Sequence, residues 1–310
     1  MSIFNIFDST SKGDKIMTTL TPEKDLQNLI QTDLDNRVLE YQKKIQEMQI
    51  NAFEGDFGTP TKLNFIADGD SWFDYPTSAF GNRTDIITQM DKKFSNRINI
   101  LNLAHYGNAT TQLLGVSKRQ RLIKELQNNN NGKFDAILFS GGGNDIAGDQ
   151  FCLWVNEATS VGNNPKKGLN QVRLNNVLDI IKSAYEDLIK IRNDYAAGIP
   201  IFTHGYDFAI PNGVGAMCDI GPWLEPSLSL RGWIGYNDKV EIIKAALQQF
   251  DQLLADISSD PANNLNYIHT QGILNPVTDW DNELHPTKDG FRRILDKFIY
   301  ELKIKFPGRI

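Results

Sequence analysis

From residue 63 onward the chain alternates between short apolar runs and longer amphipathic stretches, and no other feature of the sequence narrows the fold as far. The apolar runs lie at 63–67, 98–103, 136–139, 199–203 and 265–269, and helical spacing recurs at 85–94, 110–127, 169–195, 237–257 and 288–305. A strand that is apolar at successive residues, rather than at alternate ones, is buried on both faces. Parallel neighbours need a crossover of a dozen residues or more, which the intervening helical stretches provide. The alternation therefore predicts an α/β fold, with five parallel strands between two layers of helix in a flavodoxin-like three-layer sandwich.

The segment ahead of this alternation reads differently. Residues 1–20 are polar and aperiodic, as in a flexible leader. Thr21-Pro22 then reads as the start of a helix, with Thr as N-cap and Pro at the first helical position. Leu26, Leu29, Ile30, Leu34, Val38, Tyr41, Ile45 and Met48 recur at helical spacing, so this helix packs on the main domain or on another subunit, a route to an oligomer. Residues 54–60 carry two glycines and a proline and read as a linker. The expected division is thus 1–60 for leader and helix, and 61–310 for the main domain. Two stretches, 150–167 and 206–235, break the alternation. The second is rich in glycine and proline but also holds Phe208, Trp223, Leu224 and Trp233, too many large apolar groups for a disordered segment. The asparagine run 128–131 reads as a solvated turn.

Composition excludes some partners. The net charge is −6 and no basic stripe is present, so nucleic acid is not an expected partner. No apolar run is long enough to span a bilayer. The first residues lack a basic region followed by a long apolar core, which makes the cytoplasm the default location and leaves open export without a cleaved signal. Cys152 and Cys218 have no metal-type spacing and read as two ordinary thiols, with a disulfide between them left open by their spacing.

In an open parallel sheet, ligands bind beyond the carboxyl ends of the strands. The first apolar run leads into Asp68-Gly69-Asp70-Ser71-Trp72, the second into Ala104-His105-Tyr106-Gly107-Asn108. The third leads into Ser140-Gly141-Gly142-Gly143-Asn144-Asp145, and the fourth into His204-Gly205-Tyr206-Asp207. The fifth leads to Asp279-Trp280-Asp281-Asn282-Glu283-Leu284-His285-Pro286 before the last helix. Titratable, small and polar groups are thereby gathered at one edge of the sheet. Taken singly they have ordinary readings: Ser71 and Asn144 as helix caps, Gly107 and the triple glycine as turns, any of the four histidines as structural, and Asp281 and Glu283 as surface charge.

Taken in order, the blocks Gly69-Asp70-Ser71, Gly107 in its Asn-rich setting, Gly142-Gly143-Asn144-Asp145 and His285-Pro286 resemble the four signature blocks of the SGNH (GDSL-like) serine hydrolase superfamily. The resemblance covers the chain from 63 to 305 and implies the SGNH hydrolase form of the same sandwich. It implies Ser71 as nucleophile and His285 as general base. It also implies an oxyanion hole made of the Ser71 and Gly107 backbone N–H groups and the Asn144 amide, with no metal or cofactor. Such a set suits acyl transfer, because a serine hydroxyl needs a base to take its proton and fixed donors must meet the oxyanion. The implied reaction is hydrolysis of a carboxylic ester of the esterase, lipase or acetyl-esterase type, on a small-molecule, lipid or carbohydrate substrate.

The sequence departs from the family pattern at two places. Trp72 stands where a leucine usually follows the nucleophile, and should reshape the pocket edge. The triad acid usually lies three residues before the histidine, where this chain has Asn282; Asp281, the neighbouring carboxylate, is favoured over Asn282 for that role. Trp72, Tyr206 and Trp223 are the candidates for lining the substrate pocket. The lost acid position supports one rival reading, a binding module that keeps the scaffold without turnover. The glycine run suggests another, a nucleotide- or flavin-binding flavodoxin-like protein, against which the missing P-loop lysine argues. A G-x-S-x-G elbow, the mark of the α/β-hydrolase scaffold, is absent.

Overall fold

A computed structural model of the chain describes residues 22–53, 62–75, 83–106, 115–216 and 220–310. The expected leader, the Thr21 cap, the linker, Gly107 and Cys218 lie outside the described residues. Contacts divide the chain into two units, residues 1–36 and 37–310. The first contains the start of helix α1, Pro22–Phe53, and the second holds the remainder of that helix and everything after it.

The second unit is built on β1 (Leu63–Gly69), β2 (Ile98–Asn102), β3 (Ala136–Ser140), β4 (Ile201–His204) and β5 (Leu265–Ile268). All four pairings are parallel and the spatial order is β2-β1-β3-β4-β5, the flavodoxin-like order expected from the alternation. Helices fill the connections: α2 (Ile86–Phe94), α3 (Val116–Gln127), the single turn α4 (Gly143–Ile146), α5 (Gln171–Tyr195), α6 (Leu224–Leu230), α7 (Tyr236–Ser259) and α8 (Lys288–Lys305). α2 packs with α8, while α3 and α7 each pack with α5, so the helices form a layer on either side of the sheet. The core lies between these layers. Phe65, Phe139, Phe202, Phe291 and Phe298 are fully enclosed in it, which is why the strands read as unbroken apolar runs.

Local chemistry sets several ends. Asp85 caps α2 by accepting from the Thr88 N–H at 2.8 Å, and Thr287 caps α8 by accepting from the Gly290 N–H at 3.2 Å. Asn170 caps α5 through the Arg173 N–H, so α5 starts later than its apolar spacing predicts; Leu169 instead pairs with Val155 in an isolated bridge. From Arg37 onward α1 lies against the β3 approach: Tyr41 stacks on Phe134 and its hydroxyl donates to the Asn131 carbonyl. The asparagine run forms a 3-10 turn that is only partly solvated: Asn129 and Asn130 are exposed, but Asn131 turns inward. Asn131 is fully buried, and its amide donates to the Glu125 backbone and side-chain oxygens.

The irregular stretches are ordered by polar contacts. Residues 149–167 form three short 3-10 turns. Trp154 Nε1 donates to the Ile146 carbonyl and Trp233 Nε1 to that of Asn156, tying this insertion to the α4 turn and to the 206–235 segment. Cys152, in the first of these turns, is a free thiol.

Candidate active site

β1 runs two residues further than its apolar stretch, to Gly69, and this places Ser71 just beyond the sheet edge. Gly69 has φ +156°, and a Cβ there would sit 2.5 Å from the Ser140 carbonyl oxygen of β3. Only glycine allows so close a passage between neighbouring strand ends. The chain then turns tightly: the Phe73 N–H donates to the Asp70 carbonyl at 3.1 Å, and the Trp72 N–H to Asp70 Oδ1 at 3.0 Å. Gly142 has φ +109°, and a Cβ on it would lie 2.6 Å from the Phe250 ring. The triple glycine is thus a close-packed turn rather than a loose one, and it brings Asn144 into the first turn of α4, not to its cap.

His285 Nε2 lies 2.7 Å from Ser71 Oγ, and both residues are buried. His285 Nδ1 lies 2.9 Å from Asn282 Oδ1. The reading that favours Asp281 as the partner of His285 is therefore corrected: the carboxylate of Asp281 accepts from the Tyr75 hydroxyl at 2.8 Å instead. The loop geometry explains the choice. Asn282 Oδ1 also accepts from the backbone N–H groups of Leu284 and His285, each at 3.0 Å, an Asx-type turn that folds the side chain over its own loop toward the residue three ahead. The Asp281 carboxylate is engaged elsewhere, on Tyr75.

Protonation follows from these contacts. An amide oxygen only accepts, so His285 carries its proton on Nδ1 and presents the Nε2 lone pair to Ser71. Burial pushes the imidazole down to about 3, which keeps it neutral in the resting site. The Tyr75 ring stacks on the imidazole at 4.1 Å, and the Trp223 ring meets it edge-on at 5.9 Å.

The other histidines have separate partners. His204 Nε2 lies 2.9 Å from Ser140 Oγ, and Ser140 donates to Asp70 Oδ1 at 2.7 Å. Tyr206 donates to the other Asp70 oxygen, so a buried polar network underlies the turn that carries Ser71. Desolvation raises the Asp70 carboxyl to about 6, against the lowering effect of the Tyr206 and Ser140 hydrogen bonds. Burial drives His204 down to about 3. His105 Nδ1 lies 2.9 Å from the Tyr106 carbonyl, and the exposed His269 pairs with Asp251.

Ser71, Asn144, Trp72 and Tyr206 line one pocket, whose remaining wall is largely apolar, Ala147, Ala209, Leu247, Trp280 and Leu284, with Gly143 and the buried Asp70 and Asp207 completing it. Of the three aromatic candidates, Trp72 and Tyr206 line this pocket, while Trp223 stands against the His285 ring instead. Glu283 is not surface charge. It is fully buried, and its carboxylate accepts from the backbone N–H groups of Gly213, Trp223, Leu224 and Glu225 at 2.6 to 3.1 Å. It fixes the start of α6 and so holds the 206–235 segment against the His285 loop. Sequence reasoning missed Tyr75, Trp280 and this role of Glu283. For Glu283 the sequence holds half a signal: a glycine- and proline-rich segment leaves backbone N–H groups in need of an acceptor, but the carboxylate that meets them lies 58 to 70 residues away. Among the described residues no group of three or more His, Cys, Asp or Glu is placed to hold a metal ion, and no helix is long and apolar enough to cross a membrane.

No protein-family model matches the chain, and no curated protein sequence matches it. Among solved structures it is similar to an extracellular lipase from Streptomyces rimosus, at 15% identity over 77% of this chain and 99% of that one, with a TM-score of 0.49. It is similar to a lipase from a goat rumen metagenome, at 16% identity over 77% and 97%, with a TM-score of 0.48. It is also similar to an acetylxylan esterase from Geobacillus stearothermophilus, at 13% identity over 79% and 95%, again with a TM-score of 0.48.

Proposed function

We propose that the chain is a serine hydrolase of the SGNH type that cleaves a carboxylic ester through an acyl-enzyme on Ser71. The observation that carries this reading is the 2.7 Å approach of His285 Nε2 to Ser71 Oγ, with His285 Nδ1 held 2.9 Å from the Asn282 oxygen and Ser71 at the wall of a largely apolar pocket. His285 takes the Ser71 proton as Oγ attacks the ester carbonyl, then gives it to the departing alkoxide. Water repeats the sequence on the acyl-enzyme: His285 takes its proton, the hydroxide attacks, and Ser71 leaves with the proton restored. The negative oxygen of each tetrahedral intermediate is met by the Ser71 N–H, the Asn144 amide and the Gly107 N–H, the last assigned from the sequence blocks. Ala147, Ala209, Leu247 and Leu284 offer an apolar wall for part of the substrate.

The neutral Asn282 at the acid position favours a binding module instead, since an amide stabilises imidazolium less than a carboxylate does. The two readings separate in a panel of p-nitrophenyl esters of increasing acyl length, assayed on wild type and Ser71→Ala. Turnover by wild type that is lost in Ser71→Ala supports the hydrolase. Binding without turnover in both supports the module.

A further inference from the structure

We infer that Tyr75 and Asp281 are positioning residues for His285, acting through Asn282 in a relay that ends on a carboxylate. The inference rests on the hydrolase reading of the same site. Every hydrogen bond in the relay has one possible direction. Asn282 Oδ1 faces three N–H donors, from Leu284, His285 and the His285 ring, so the amide cannot be turned over without opposing N–H to N–H. Its Nδ2 therefore points the other way and donates to the Tyr75 hydroxyl at 2.8 Å. That hydroxyl accepts from Asn282 and so gives its own hydrogen to Asp281 Oδ2 at 2.8 Å, an ionised group that only accepts.

The chain thus runs from His285 Nδ1–H through the Asn282 amide and the Tyr75 hydroxyl to Asp281. Hydrogen bonds in such a chain polarise one another, so a negative end draws the His285 Nδ1 proton toward Asn282 and favours the imidazolium formed during attack. The Tyr75 ring adds a second support, since a π face stacked at 4.1 Å interacts favourably with a cationic ring. The arrangement also places the charge where it costs least: Asn282 is fully buried, whereas Asp281 is exposed.

The test combines Asp281→Asn, Tyr75→Phe, the double variant, and Asn282→Asp placed in the Asp281→Asn background. Two readouts are taken on the full chain: the rate at which a fluorophosphonate probe labels Ser71, and the NMR chemical shift of the His285 Nδ1 proton. Each single variant should slow labelling roughly tenfold or more, a fraction of what a general base contributes. The double variant should lose no more than the worse single one, as members of one unit do. Asn282→Asp should restore labelling by putting a carboxylate beside the ring, an effect a purely structural role for Asp281 would not produce. The His285 proton should move upfield in Asp281→Asn. Wild-type labelling rates in Asp281→Asn, losses that multiply in the double variant, or failure of the rescue would each overturn the relay. If Tyr75→Phe does not fold, the exposed Asp281→Asn and its rescue decide alone. If wild type itself is not labelled, the hydrolase reading fails, and an unmoved His285 proton in Asp281→Asn then refutes the relay while a shifted one supports it.

Discussion

Trp72 Nε1 donates to the Leu284 backbone carbonyl at 3.0 Å, and this one bond joins the residue after Ser71 to the residue before His285. The indole also stacks on His204 at 5.1 Å and meets Tyr206 edge-on at 4.9 Å. Trp72 lines the same pocket as Ser71, and its bond to Leu284 ties the Ser71 turn to the His285 loop. Trp72→Phe keeps most of the ring and loses the donor. Unfolding should show a loss of about 1 kcal/mol, the net worth of one hydrogen bond. The kcat should fall by more than that stability loss implies, because Ser71 and His285 no longer share a fixed register. A normal kcat with lowered stability would confine Trp72 to packing.

Glu283 should behave as a buried anchor. Glu283→Gln turns an amide N–H toward backbone donors and removes the charge that four N–H groups face. Hydrogen bonds to a charged group contribute about 1.5–3 kcal/mol each, so a loss of at least about 2 kcal/mol is expected by chemical denaturation. Limited proteolysis should then cut first within 206–235. Unchanged stability and cutting elsewhere would mean that this segment is held by other contacts.

The strands and the strand order were legible because burial on both faces leaves unbroken apolar runs, as at 63–67 and 136–139. Ser71 and His285 were legible because each sits in an ordered block after a strand or before the last helix. Other features come from side chains meeting across long separations. Tyr75 reaches Asn282, 207 residues away, and nothing around Tyr75 in sequence announces it. The choice of Asn282 over Asp281 depends on an Asx turn, whose direction a spacing rule cannot supply. The 206–235 segment looked irregular because the acceptor that starts its helix, Glu283, lies 59 residues beyond Leu224.

Asp68 supplies a test in pH. Burial lifts its carboxyl to about 7, against the lowering effects of Lys118 and the Gly69 N–H. A carboxyl whose folded value is raised holds its proton more tightly when folded, so its contribution is full below the unfolded value of about 4. It is lost as pH climbs toward 7 and is constant above. Asp68→Asn removes that loss. Its stability relative to wild type should rise between about pH 4 and 7, by an amount on the order of 2–4 kcal/mol at about 1.4 kcal/mol per unit, and then level off. A difference that does not change with pH would show that Asp68 is not held protonated.

Asn144 lines the same pocket as Ser71, and the proposed mechanism has it donate to the oxyanion. Asn144→Ala should lower kcat about a hundredfold or more with little change in KM, as when one oxyanion donor is removed. A structural role would instead lower Tm and leave the kinetics of the folded fraction intact.

The central claim is a covalent acyl group on Ser71, and trapping it is the most direct measurement. Wild type mixed with p-nitrophenyl acetate and quenched in acid within the first turnover should carry one acetyl group, mapped by peptide mass spectrometry to Ser71. Ser71→Ala should carry none and release p-nitrophenol only at the background rate. An adduct on another residue, or continued turnover by Ser71→Ala, would contradict the account.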